Sequence, residues 1–259
     1  MKKSILIVFV LTFILVACSG VATPEDIPAV TATTEKMIVP TPSPVPPTAE
    51  PTETAIGDTL TETDVMTLLS SDLLDLENLF ANVDQETFGP ILTMQLVNQS
   101  DGELIVEIPC GLIFVPDDGD EQPLIVVQSQ SIAIPFEETA ELTPYVVCAD
   151  ISAGAPSLAA TYSVGTLTEN MKMQQLADCI CDRGFDTSLY SEDGVSVQFA
   201  VWYVQMSGDP AGYLTAHADE IAASGLDDFD GSDENLDMMV EIFDDYLGDW
   251  ITSCGIEFE

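Results

Sequence analysis

Between residues 89 and 165 the chain is cut into short apolar runs by turn residues, and that punctuation restricts its fold more than any other feature. Leu92, Met94 and Leu96 alternate with polar neighbours, residues 98–102 have turn chemistry, and Leu104, Val106 and Ile108 resume the alternation, so the two runs read as a hairpin. Runs at 112–115, 124–127, 132–134, 145–148 and 161–164 follow at even spacing. Strands this short hide an apolar face only against a second sheet, which predicts an immunoglobulin-like β-sandwich over 89–165. The flanks read differently. Val65, Leu68, Leu69, Leu73, Leu76, Leu79 and Phe80 recur at helical spacing behind Thr61 or Thr63 as a cap, predicting one amphipathic helix over 59–88. Helices are expected to dominate 166–259. Thr166 and Glu169 fit a capping box ahead of Met173, Leu176, Ala177 and Ile180; Asp209 and Pro210 open a further helix; Leu236, Met239, Val240, Phe243, Leu247, Trp250 and Ile251 mark a last long one. Residues 195–205 fit two patterns, since their β-branched members suit a strand while Val197, Ala200, Val201 and Val204 share one helical face. The expected fold class is therefore α+β: a sandwich preceded by one helix and followed by a mostly helical part.

Charge excludes a class of partner. Five Lys and Arg stand against 45 Asp and Glu, a formal net charge of -40, so no basic surface exists to displace phosphate counterions and nucleic acid is ruled out. Charged residues make up only 19% and hydrophobic residues 46% of the chain, so the acidity reflects missing cations, and a core of ordinary size remains available.

Residues 1–17 join Lys2 and Lys3 to an apolar run from Ile5 to Ala17 that is too short to span a bilayer comfortably and reads as a signal peptide. Leu15, Val16, Ala17 and Cys18 resemble the lipobox of bacterial lipoproteins. That resemblance implies export, cleavage before Cys18, acylation of Cys18, and a lipid-anchored, extracytoplasmic location at the cell membrane or outer membrane. A strongly acidic body is repelled by an anionic surface, so the membrane partner would be held by the lipid alone. Residues 18–58 are rich in Pro, Thr and Glu without an apolar period, which predicts a disordered stalk of polyproline character reaching roughly 120 Å.

Beyond Cys18 the chain has Cys110, Cys148, Cys179, Cys181 and Cys254, an odd set for which an oxidising compartment permits two bridges in about 15 pairings. Cys110 and Cys148 end predicted strands and are candidates to bridge the sandwich. Cys179 and Cys181 fall on opposite flanks of their helix, so only one is well aimed at a given partner; Cys254 could staple the last helix to that one, and Cys181 and Cys254 are candidate bridge members. Zinc fits poorly, because the CysIleCys run lacks the usual spacer and His217 is the single histidine. Asp228, Asp230 and Asp233 around Gly231 are candidate calcium ligands. The competing reading is a solvated loop in which Ser232 or Asp233 caps the next helix. No other cofactor is expected.

His217 has no GxSxG serine to serve, no phosphate loop or dinucleotide fingerprint is present, and carboxylates are too abundant for any pair to be singled out. The first functional expectation is thus a non-catalytic binding or adhesion module for a protein or glycan ligand; an envelope hydrolase using unassigned carboxylates is a further one. Val147, Cys148, Ala149 and Asp150, with ValGlnPheAlaValTrp at 197–202, are similar to the cysteine and TQxAIW-like motifs of the thioester domains of bacterial surface adhesins, Val197 standing where that family has threonine. The resemblance implies that the Cys148 sulfur and the Gln198 carbonyl condense with loss of ammonia, leaving an acyl group open to attack by a partner's amine. It also implies that Cys110, Cys179, Cys181 and Cys254 are left for two bridges.

Overall fold

Strands and helices combine in three sheets and seven helices in the computed structural model of the chain, which describes residues 62–84, 86–188, 191–223 and 232–258. The largest sheet orders its strands β11 (Tyr162–Leu167), β6 (Leu112–Pro116), β7 (Leu124–Val126), β10 (Val146–Cys148) and β3 (Phe88–Gly89), each antiparallel to its neighbour. A second sheet orders β2 (Leu74–Ala81), β4 (Leu92–Asn98) and β9 (Thr139–Leu142). A third orders β1 (Glu62–Asp64), β5 (Leu104–Ile108) and β8 (Gln130–Ile134), with β1 parallel to β5.

Strand alternation explains how one sheet serves two cores. Leu124, Val126, Phe114 and Cys148 point into a cluster with Leu92, Met94, Leu96, Val106 and Ile134 of the two smaller sheets. Ile125, Val127 and Val147 point the other way, into a cluster with Met173, Leu176, Val197, Val201 and Trp250 of the helices. A strand covered on both faces has no reason to alternate with polar residues, and 124–127 is accordingly an unbroken apolar run.

Two expectations are corrected here. The amphipathic helix over 59–88 is instead a short helix α1 (Val65–Ser70), capped by Asp64 on the Thr67 amide, followed by the eight-residue strand β2. Leu74 and Leu76 alternate as a strand should, but the pairing with β4 shifts between Leu76 and Asn78, and that irregularity puts Leu79 out of phase. The slip makes a two-residue period imitate a helical one. The hairpin joining 92–96 to 104–108 is likewise absent, because β4 pairs with β2 and β9 while β5 pairs with β1 and β8. Asn98, almost fully buried, turns the corner between sheets: its Nδ2 donates to the carbonyls of Gly102 (2.7 Å) and Ile134 (2.8 Å).

After β11 come α2 (Met171–Arg183), α3 (Glu192–Gln205), α4 (Pro210–Ala216), α5 (Ala218–Ala223), α6 (Asp233–Tyr246) and α7 (Trp250–Ser253). Asn170, not a Thr166–Glu169 box, caps α2, accepting from the Lys172 and Met173 amides, while Thr166 stays in β11. Residues 195–205 are helical. They fit both patterns because α3 is buried on more than one side: Val197, Ala200, Val201 and Val204 meet the sheet and α2, whereas Phe199 meets Leu214, Ile221 and Phe243. No helix among the described residues is long and apolar enough to cross a membrane. Cys18, the 18–58 stretch, Asp228 and Asp230 lie outside the described residues, and Asp233 enters only as the first residue of α6, with Ser232 as its cap.

The bridges are Cys110–Cys181 and Cys179–Cys254, with Cα separations of 6.6 and 5.7 Å. Cys110 therefore does not bridge to Cys148, and Cys254 is stapled to the 171–183 helix, as expected, but through Cys179 and not Cys181. Cys148 is the partner of Leu124 inside the five-stranded sheet and turns its side chain into the core, out of reach of the turn that carries Cys110. That turn lies under α2, where the Gln174 Nε2 donates to the Cys110 carbonyl. Cys179 and Cys181 do flank the helix on opposite sides, and each takes a different partner.

Candidate functional site

The pairing leaves Cys148 as the free cysteine among the described residues, with no exposed surface. It ends β10, where the ladder to β3 runs out. The Cys148 N–H is shared between the Thr87 carbonyl (2.8 Å) and the Oε1 of Gln198 (2.9 Å), and the Cys148 carbonyl accepts from the Gln198 Nε2 at 2.7 Å. A side-chain amide thus docks on the backbone of one residue through both of its ends. Gln198 sits in the middle of α3, is 2% exposed, and is held there because a buried amide without partners would be costly.

Seven residues further along α3, on the same face, Gln205 repeats the device. Its Nε2 donates to Asp150 Oδ1 and to the Tyr213 hydroxyl, both at 2.9 Å, and its Oε1 accepts from the Ile151 N–H at 3.4 Å. The segment from Cys148 to Ile151 therefore lies along α3, fastened at both ends by glutamines. Ser191 starts that helix by accepting from the Gly194 N–H. The sequence marks Asp150 only as a flank of the Cys148 motif and does not single out Gln205; the available signal was a pair of amides seven apart on one helix, each needing a partner.

Burial, and secondarily the Asp150 charge, pushes the Cys148 thiol well above its ordinary pKa. The sulfur is neutral and has little thiolate character. Tyr162, on β11, is pushed far up first by burial and then by Glu121; its hydroxyl lies 3.4 Å from Glu121 Oε2 and 3.5 Å from the Gln122 carbonyl. The arrangement docks the backbone of a buried cysteine on a carboxamide whose carbonyl oxygen already accepts a backbone N–H, a contact that polarises the amide carbon and would favour negative charge on that oxygen.

Other candidates are not brought together. Cys110, Cys181, Cys179 and Cys254 are consumed in bridges. His217 ends α4, stacks on Tyr213 with ring centroids 4.2 Å apart, and sets its Nδ1 2.7 Å from Glu220 Oε2. The carboxyls of Asp64, Asp117 and Asp186 are held below their usual range by hydrogen bonds from Thr67, from Thr161 and Ser163, and from Ser188 respectively, the direction opposite to that of a general acid. Among the described residues no cluster of three His, Cys, Asp or Glu is placed to hold a metal ion. No protein family, curated protein or solved structure matches the chain.

Proposed function

We propose that this protein forms an internal thioester between Cys148 and Gln198 and uses it to bind an amine-bearing partner covalently. The observation that carries the reading is the docking of the Gln198 side-chain amide on the Cys148 backbone, in a buried site where Cys148 is the cysteine that the bridges leave over. In closure the Cys148 sulfur attacks the Gln198 Cδ, a C–S bond forms, the C–N bond breaks, and the amide nitrogen leaves as ammonia carrying the thiol proton. Opening by an amine restores the thiol and leaves an isopeptide on Gln198. The raised thiol pKa suits this cycle, because every resting species at Cys148 is neutral and can stay buried.

Such a molecule acts once per partner, as an adhesin does, which keeps the expected binding role and excludes turnover. An immunoglobulin-like sandwich carrying the cysteine strand, a helical part carrying the glutamine, and a stalk anchored through lipid on Cys18 complete the reading: a reactive body presented outside the membrane. The test is intact mass in denaturant together with isotope-labelled methylamine. The closed protein weighs one ammonia less than its disulfide-bonded sequence, and methylamine removes the deficit, labels Gln198 and frees one thiol at Cys148. An unmodified mass and an unlabelled Gln198 would refute the proposal and return the protein to a non-covalent binding role.

A further inference from the structure

Two buried polar atoms beside this pair make no hydrogen bond: the Oε1 of Gln122 and the Nε1 of Trp202. Backbone pairing places the first. Leu124 is the partner of Cys148, the Pro123 carbonyl accepts from the Ala149 N–H at 2.9 Å, and alternation sets Gln122, which is 4% exposed, on the face that Leu124 shares with Cys148. The helix places the second. Gln198 holds Cys148, Gln205 holds Asp150 and Ile151, and Trp202 lies between them on α3, one turn beyond Gln198. Its ring packs against the core cluster that contains Cys148 and Tyr162. An orphaned acceptor and an orphaned donor thus flank the same short stretch of chain. Leaving each unsatisfied is unfavourable, and native proteins keep such groups where something else completes them.

The geometry points to a subsite for the nitrogen of a neutral primary amine, formed by Gln122 and Trp202; this rests on the thioester reading. A neutral amine offers N–H donors to the Gln122 oxygen and one lone pair to the Trp202 N–H, whereas an ammonium ion has no lone pair and leaves the indole unanswered. The same complement fits ammonia, so the subsite receives the product of closure as well as the nucleophile that reverses it. Once seated, the amine nitrogen turns its lone pair on the Gln198 acyl carbon; an N–C bond forms, the C–S bond breaks, and one amine proton passes to the Cys148 sulfur. The fitting partner is a primary alkylamine, such as a lysine side chain in its neutral form.

The experiment uses the full chain, unaltered and with Gln122→Met or Trp202→Phe, exposed to labelled methylamine and, separately, to buffer without amine. Label on Gln198 gives aminolysis, and thiol release without amine gives hydrolysis. Each variant is expected to close its thioester, and its aminolysis should fall about tenfold relative to its own hydrolysis, the value of roughly one hydrogen bond. A merely loosened site would admit water and amine alike and leave that ratio unchanged. Unchanged ratios in both variants overturn the subsite while the thioester stands. A folded variant that never closes overturns it as well, since the residue would then serve closure. No label and no released thiol in the unaltered chain removes the thioester and the subsite together. Should Gln122→Met not fold, Trp202→Phe, which keeps an aromatic wall and deletes the N–H, decides alone.

Discussion

Gln198 commits both ends of its amide to one neighbour, so its replacement strikes structure and chemistry together. Relative to the open form, Gln198→Ala leaves the Cys148 carbonyl without that partner and is expected to cost about 1–3 kcal/mol in denaturant unfolding, while abolishing methylamine labelling. Cys148→Ala should abolish labelling and the freed thiol while leaving both bridges intact. The raised thiol pKa predicts a pH signature of the open form only. A group whose folded pKa lies above its unfolded value stabilises the fold fully below the unfolded value and loses that contribution as pH rises. For Cys148 the loss begins near the ordinary thiol value of 9.0, with a slope of about 1.4 kcal/mol per pH unit. Methylamine-opened protein should therefore lose stability between about pH 9 and 10, and closed protein, which has no thiol to titrate, should not; coincident curves would contradict either the burial of Cys148 or the closure. The sequence pointed to Cys148 and Gln198 through a resemblance in their flanking motifs. It marked Asp150 and Trp202 only as flanks of those motifs and was silent on Gln205 and Gln122, because only the folded alignment of 148–151 along α3 gives those residues anything in common.

Element types were legible where one face of a strand met one core. The runs around β4, β5, β6, β8 and β11 stand close to where the alternation sets them, β7 and β10 stand where unbroken apolar runs set them, and α2 follows from its apolar face, whereas the expected last helix is divided into α6 and α7. Legibility failed where a second influence was superposed. In β2 the shift after Leu76 disguised a strand as a helix, and β9 carries only Leu142 as a buried apolar residue, too little pattern to notice. Partner choice was the other loss: nothing in residues 98–102 says that Asn98 will reach across to Ile134 and send the next strand to another sheet. The link from α3 to α4 is a place where backbone conformation governs. Gly208 has φ +77°, and a Cβ there would come within 2.5 Å of the Phe258 ring. Gly208→Ala should thus destabilise by about 1–2 kcal/mol from the left-handed backbone alone, with more from the ring. A thermal melt checks the size: a loss no larger than the backbone cost would mean that the 256–258 tail moves aside freely, and a neutral result would contradict the left-handed conformation at Gly208.

At the scale of the whole molecule, covalent and electrostatic forces oppose each other. The two bridges close loops of 71 and 75 residues and tie α2 to the turn before β6 and to the C-terminal helix. Each is worth about 4 kcal/mol on chain entropy, a large part of the 5–15 kcal/mol typical of a domain. Reduction should accordingly lower Tm steeply, the more so because charge does not help. The described ion pairs are Arg183–Asp249 at 3.5 Å and His217–Glu220 at 2.7 Å, and Lys172 and Arg183 also stack on Phe258 and Trp250. With 45 Asp and Glu against five Lys and Arg, most carboxylates have no cation to pair with and repel one another. Their repulsion is screened over about 10 Å at 0.1 M salt, so Tm should climb as sodium chloride rises from about 0.01 to 0.5 M, where screening shortens several-fold. A flat or falling Tm would mean that the acids are held apart well enough to ignore one another. Repeating the series with calcium and magnesium chloride at equal ionic strength separates screening from a bound ion. Pure screening gives coincident curves, whereas a rise with calcium alone would mean a bound ion, for which Asp228, Asp230 and Asp233 are the candidate ligands that the sequence offers.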